Sequence, residues 1–303
     1  MSETLSPRQV GEAIQISESS IKRWCDRGKI KASYTAGGHR RIHIADLVEF
    51  LRDSKYRLIE PEAIGLPEGV GAGKLDIQSG RDQFTDAIRA GDETRARSVV
   101  VELFLNNMSM AEICDQVFAP AFHVIGESWQ DGNCEVYEER RACEIGRRVL
   151  SDLRELVPPL PTDAPVAIGG SPSGDYYDLP TQAVELVLQS TGIKAKSLGT
   201  NLPLDTLAKA IVAYRPKLVW ISATFIDDVS RFVNEYRDFH DSIGNECQIV
   251  LGGQAIDHEI EKLLPASHFS KDLSGLAKFA SSVLGKHIAT SKQDSNTPAP
   301  TNT

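Results

Sequence analysis

The chain has 303 residues, 41% hydrophobic and 25% charged, an ordinary globular composition with room for two or three domains. No stretch reaches the roughly 18–20 uncharged apolar residues of a membrane span, and no basic-then-apolar signal segment opens the chain, so a cytoplasmic protein without a membrane partner is expected. The net charge of −9 is uneven: residues 1–57 hold eleven Lys or Arg against seven Asp or Glu, leaving −13 for the rest, and a basic head on an acidic body suits contact with phosphates by the head alone.

In chain order, Ser6, Pro7 and Gln9 form the start signal of a short helix: an N-cap, a proline at the first helical position and a capping-box partner. After the turn at Gln15-Ile16-Ser17, residues 18–27 predict a second helix, with Ile21 and Trp24 on one face, Lys22, Arg23 and Arg27 on others, and Gly28 as its stop. Strand-like runs at 30–34 and 39–43 flank Thr35-Ala36-Gly37-Gly38 and predict a hairpin whose return strand is cationic. A further helix is expected over 45–51. These elements make residues 1–57 a winged helix-turn-helix DNA-binding domain.

Gly and Pro recur every few residues through 58–80, which reads as a flexible linker. Helical periodicity over 81–160 predicts a four-helix bundle. From 161 to 289, strand candidates at 166–168, 195–198, 218–221 and 249–251 alternate with helix candidates near 181–190, 203–214, 228–241 and 257–264. That alternation predicts an α/β doubly wound parallel sheet of flavodoxin-like order. Residues 290–303, rich in Ser, Thr, Asn and Pro, are expected to be a disordered tail. The fold class is thus multidomain: an α domain with a small β wing, a helical bundle, then an α/β domain.

A recognition helix needs small, polar or basic exposed positions, which Ser19, Ser20, Lys22 and Arg23 supply. The hairpin adds Thr35, His39, Arg40 and Arg41 beside Gly38, where backbone can approach a phosphate closely. The alternative is a solvated basic turn. The run from Ser17 to Ile30, followed by Thr35-Ala-Gly-Gly-His-Arg-Arg-Ile42, resembles the winged helix-turn-helix of the MerR family and its excisionase-like relatives. That resemblance implies binding to double-stranded DNA as a homo-oligomer.

In the body, ligands of a doubly wound sheet bind at the carboxyl ends of its strands. Three loops there are unusual: residues 169–180 after the first strand, Ser222-Ala223-Thr224 after the third and Gly252-Gly253-Gln254 after the fourth. In a flavodoxin-like order these strands are neighbours. Their small residues either leave a slot for a long ligand group or merely close tight turns.

The order and spacing resemble a cobalamin-binding domain, and the preceding helices resemble the cap of cobalamin-dependent MerR-type photoreceptors that regulate carotenoid genes. The resemblance implies cobalamin as cofactor, a dimer or tetramer, and a cofactor site including Trp129, Glu139, Asp175, Tyr177, Ser222, Thr224, Gly252 and Gly253. It also shows two departures. The family's axial-ligand His is replaced by Tyr177 within Asp175-x-Tyr177-x-x-Pro180, and the His of its Trp-x9-Glu-His motif is replaced by Arg140. A phenol with a reference pKa near 10 is a poor neutral-pH substitute for imidazole.

Three states of the body therefore stay open: cobalamin held without a protein ligand to cobalt, a changed ligand, or an apo scaffold. Trp129 also has a bland reading as a core residue. No nucleophile–base pair, phosphate loop or metal-ligand spacing supports catalysis, and five cysteines without a C-x-x-C pair disfavour a zinc site. The expected function is a non-enzymatic MerR-type regulator controlled through a cobalamin-binding-like sensor and oligomerisation. The alternatives are a ligand-free dimeric regulator and a corrinoid carrier, which would have no use for a basic head.

Overall fold

The structure, a computed structural model, describes residues 4–71, 73, 75–244 and 246–294. It divides into two compact units, residues 1–159 and 160–303.

In the first unit, strand β1 (Thr4–Leu5) leads into helix α1 (Pro7–Ala13), capped as expected: the Gln9 N–H donates to Ser6 Oγ and the Ser6 N–H to Gln9 Oε1. Gln15 turns the chain with φ +52°, and helix α2 (Glu18–Asp26) starts on the Ser17 N-cap. Gly11 permits this tight turn, because a Cβ there would lie 2.5 Å from the Ile16 carbonyl oxygen. Strands β2 (Ser33–Tyr34) and β3 (Arg40–His43) form the hairpin, and helix α3 (Ile44–Asp53) follows directly. Both strands are shorter than expected. β1 was not foreseen; it pairs antiparallel with β3, making a sheet of order β1-β3-β2. A two-residue strand has no periodicity to read, and only its distant partner defines it.

The Gly- and Pro-rich segment departs from the expected flexible linker in that it is packed. The N–H groups of Ile59 and Glu60 both donate to the Ala13 carbonyl, a 3-10 turn covers Pro61–Ile64, and Leu58, Ile64, Leu66 and Val70 are buried. Farther along, the Gly71 and Gly73 N–H groups donate to the buried carboxylate of Glu102. Composition signalled turns correctly, but the four apolar residues among them anchor the segment. Arg52, in the last turn of α3, donates to the Met108 carbonyl and places its guanidinium 4.0 Å from the Phe104 ring centre.

Helices α4 (Ile77–Ala90) and α5 (Glu93–Leu105) open the helical region, which continues through α6 (Met110–Ile113), a π-helical turn (Cys114–Phe118), α7 (Ala119–Gln130) and α8 (Val136–Glu155). The π turn has an identifiable cause. Pro120 has no N–H to give the Gln116 carbonyl, and Arg81 Nε supplies that oxygen instead at 2.7 Å.

The second unit is a five-stranded parallel sheet of order β5-β4-β6-β7-β8, built from β4 (Val166–Gly170), β5 (Lys194–Ser197), β6 (Leu218–Ser222), β7 (Gln248–Gly252) and β8 (His268–Ser270). The expected doubly wound arrangement is present, with β4, β6 and β7 adjacent. The short edge strand β8 is additional. Helices α9 (Asp178–Ser190), α10 (Leu204–Tyr214), α11 (Val229–Ile243), α12 (His258–Glu261) and α13 (Leu273–Asp294) complete it. Helix α10 and α11 residues pack one sheet face, and α9 and α13 residues the other. Of the expected disordered tail, α13 covers 290–294, and 295–303 lie outside the described residues.

Candidate functional site

On the head, the first turn of α2 is a hydroxyl cluster. Ser17 Oγ caps the Ser20 N–H and lies 3.1 Å from Ser19 Oγ and 2.9 Å from Ser20 Oγ. Arg23 Nη2 donates to Ser20 Oγ at 3.3 Å, and Lys22 Nζ pairs with Glu18 at 2.7 Å one turn back. These side chains are exposed, Ser20 partly so, while Ile21 is fully buried and Trp24 packs against Phe50 and Tyr56 with ring centres 5.4 and 4.9 Å away. One amphipathic helix therefore anchors by one face and presents Ser19, Ser20, Lys22 and Arg23 on another.

In the hairpin, Thr35 Oγ1 accepts from the His39 N–H and Gly38 adopts φ +76°. Arg40 and Arg41, adjacent on β3, point to opposite faces. Arg40 is engaged: its guanidinium donates to Asp26 Oδ1 at 2.6 and 2.9 Å and lies 5.5 Å from the Tyr34 ring centre. Arg41 pairs through its backbone with Ser33. Sequence reading treated the two arginines alike; the strand alternation distinguishes them, although Asp26 as the partner is a tertiary fact.

In the second unit, six of the eight expected cofactor residues meet at the carboxyl ends of β4, β6 and β7. Asp175 is the hub. Fully buried, its Oδ1 accepts from the Tyr177 N–H at 2.9 Å and its Oδ2 from the Thr224 and Phe225 N–H groups at 2.6 and 3.3 Å. Burial pushes this carboxyl above its usual range, against the three amides, which favour the anion. The first bond is an Asx turn and legible from sequence; the other two tie the β4–α9 loop to the β6–α11 loop. Asp175 thus acts here as a brace. Asp175→Asn must turn an amide N–H2 toward one of these donors, so unfolding of the α/β unit should become easier by about 1–3 kcal/mol, read by denaturant titration. An unchanged midpoint would remove the brace.

Tyr177 is about half exposed, and its backbone carbonyl accepts from Ser171 Oγ. Ser222 is buried in β6 opposite Gly252. Both glycines sit where backbone approaches closely: a Cβ on Gly253, which has φ +104°, would lie 2.2 Å from the Ala223 carbonyl oxygen, and one on Gly252, paired with Ser270 on β8, would lie 2.8 Å from that residue's carbonyl oxygen. Close backbone approach thus accounts for the absence of a side chain at both positions.

The remaining two residues lie in the first unit, on the α7–α8 hairpin. Trp129 is 44% exposed, which overturns its bland reading as core. Glu139 accepts from Cys143 Sγ at 3.2 Å and lies 3.5 Å from Arg140 Nε. A cleft of about 210 Å³ between α4 and this hairpin is lined by Arg89, Ile125, Asn133, Cys134, Glu138 and Ala142.

Residues 4–55 match the helix-turn-helix domain family and residues 81–154 the B12 binding domain family. The chain joins a helix-turn-helix domain to a domain of the B12-binding type. It is similar to the HTH-type transcriptional repressor CarA of Myxococcus xanthus, 24% identical over 229 residues, which are 72% of this chain and 76% of that protein. The similarity to CarH of the same organism is 23% over 175 residues, 58% of each chain. Among solved structures, the monomethylamine corrinoid protein of Methanosarcina barkeri aligns over 69% of this chain and all of that one, with a TM-score of 0.59 at 15% identity, a likeness of fold.

The donor chemistry does not fit the cofactor this domain type implies. The position expected to ligate cobalt carries a half-exposed phenol, and the Asp beside it spends its oxygens on backbone amides.

Proposed function

We propose that this protein is a MerR-type transcription regulator. It binds duplex DNA through α2, with the β2–β3 hairpin as a wing, and uses the four-helix cap and α/β domain to control occupancy through oligomerisation. The observation that carries this reading is the α2 surface: a buried Ile21 face fixes the helix while Ser19, Lys22 and Arg23 stand exposed, and Ser20 partly exposed, at its outer side. A major groove admits such a helix and reads its polar positions. The basic surplus of residues 1–57 supplies phosphate attraction that the acidic body lacks.

Within the wing, Arg40 positions and Arg41 contacts. The Asp26–Arg40–Tyr34 cluster fixes the angle between hairpin and α2, and Arg41, on the opposite strand face, takes a phosphate. The donor set at Tyr177 and Arg140 favours a body that regulates without a cobalt ligand and without photochemistry of the photoreceptor kind, in the cytoplasm.

Fluorescence anisotropy of the full chain with a duplex from its own promoter tests this. Affinity should fall steeply as salt rises, and Arg41→Ala should lower the log–log salt slope by about one while weakening all sequences alike. Binding that is absent, or indifferent to salt, would sink the regulator reading.

A further inference from the structure

We infer that the α/β domain is a filled form of the B12-binding type: Trp220 occupies the room behind the carboxyl-edge loops into which the nucleotide tail of a cobalamin would insert. Trp220 is in the central strand β6, two residues before Ser222, and is 1% exposed. Its neighbours in register are Gly169 on β4 and Val250 on β7. The side chain lies in the apolar layer between the sheet and the α9 and α13 residues, with Val184, Leu188, Leu276 and Ala280.

Its position within that layer is fixed at both ends. Nε1 donates to Thr181 Oγ1 at 3.0 Å, in the first turn of α9, and Thr181 is itself fully buried, with its hydroxyl 3.3 Å from Ser197 Oγ. The indole thus reaches the end of the layer beside the 169–180 loop. It also lies across Gly169, where a Cβ would stand 2.3 Å from Cδ2 and 2.5 Å from Cγ of the ring. An indole is a bicyclic aromatic of about the size of the tail's own base, so one excludes the other from a close-packed layer. The flanking glycines add no room, because backbone carbonyls already fill the places their side chains would take.

A corrinoid could then meet this domain only by the face of its ring, and its tail would contribute nothing. The inference rests on the B12-binding type of the body and is independent of DNA binding, so the duplex titration and the present test fail separately.

The test uses the intact protein with two probes, hydroxocobalamin and the corresponding cobinamide, which lacks the nucleotide tail. Corrinoid retained after desalting is read by its visible absorbance. Equal retention of both, or of neither, is the expected result; retention of cobalamin at least ten-fold above cobinamide would overturn it. Trp220→Ala, checked for folding by circular dichroism, should introduce a preference for the tailed corrinoid, and a folded variant without one would also overturn the assignment. The comparison on the unaltered chain needs no variant, so misfolding of Trp220→Ala leaves it decisive.

Discussion

Gly169→Ala should destabilise the α/β unit by about 3 kcal/mol, at the upper end of what overpacking costs. The new methyl would sit 2.2 Å from the Trp220 carbonyl oxygen and 2.3 Å from its ring, and neither neighbour can yield. The carbonyl belongs to the backbone of the central strand, held by β4 on one side and β7 on the other, and the ring is pinned by Thr181. Relief requires β4 and β6 to separate, which breaks their pairing along Ala167–Gly170. Denaturant unfolding of the full chain, followed by near-ultraviolet circular dichroism, measures it. A loss below about 1 kcal/mol would mean that the layer is loose enough to admit other groups, and would count against a fixed Trp220 as well.

Replacing Lys22 and Arg23 together with Ala should weaken duplex binding about ten- to a hundred-fold, with the melting temperature essentially unchanged. Both side chains are exposed, and their present partners are local: Glu18 for Lys22 and the Ser20 hydroxyl for Arg23. Exchanging such partners for a base edge or a phosphate sacrifices little in the free protein, so nearly all of the new contact appears as affinity. The two roles separate by salt. Phosphate contacts lower the salt slope by about one each and act on every sequence, whereas a lost base contact leaves the slope and relaxes discrimination at one position. Equal affinity of variant and parent would move the recognition surface off α2.

The same contrast between local and distant partners explains what could be read from the chain alone. Ser6, Pro7 and Gln9 announce α1, Gly28 with φ +68° ends the second helix region, and the alternation of apolar runs with amphipathic stretches announces the parallel sheet. These are signals between residues a few positions apart, and propensity, capping and period are local physics. The convergence of Asp175, Tyr177, Ser222, Thr224, Gly252 and Gly253 was also legible, because strand order places three loops at one edge.

What those residues do there was decided only in three dimensions. That Asp175 braces a second loop depends on amides 49 and 50 positions away, and that Arg40 is engaged depends on Asp26 at the end of α2. The segment 58–71 packs because Leu58, Ile64, Leu66 and Val70 find partners, though its Gly and Pro content alone reads as slack. The strongest case is Gly169 with Trp220. By themselves the two are a small residue in a glycine-rich loop and a large one in an apolar strand; set side by side by parallel register, the glycine makes the space and the indole fills it. Sequence specifies which elements form because their hydrogen bonds are short-range. Whether the space between them is open or filled depends on side-chain volumes meeting across strands, which only the folded arrangement brings into contact.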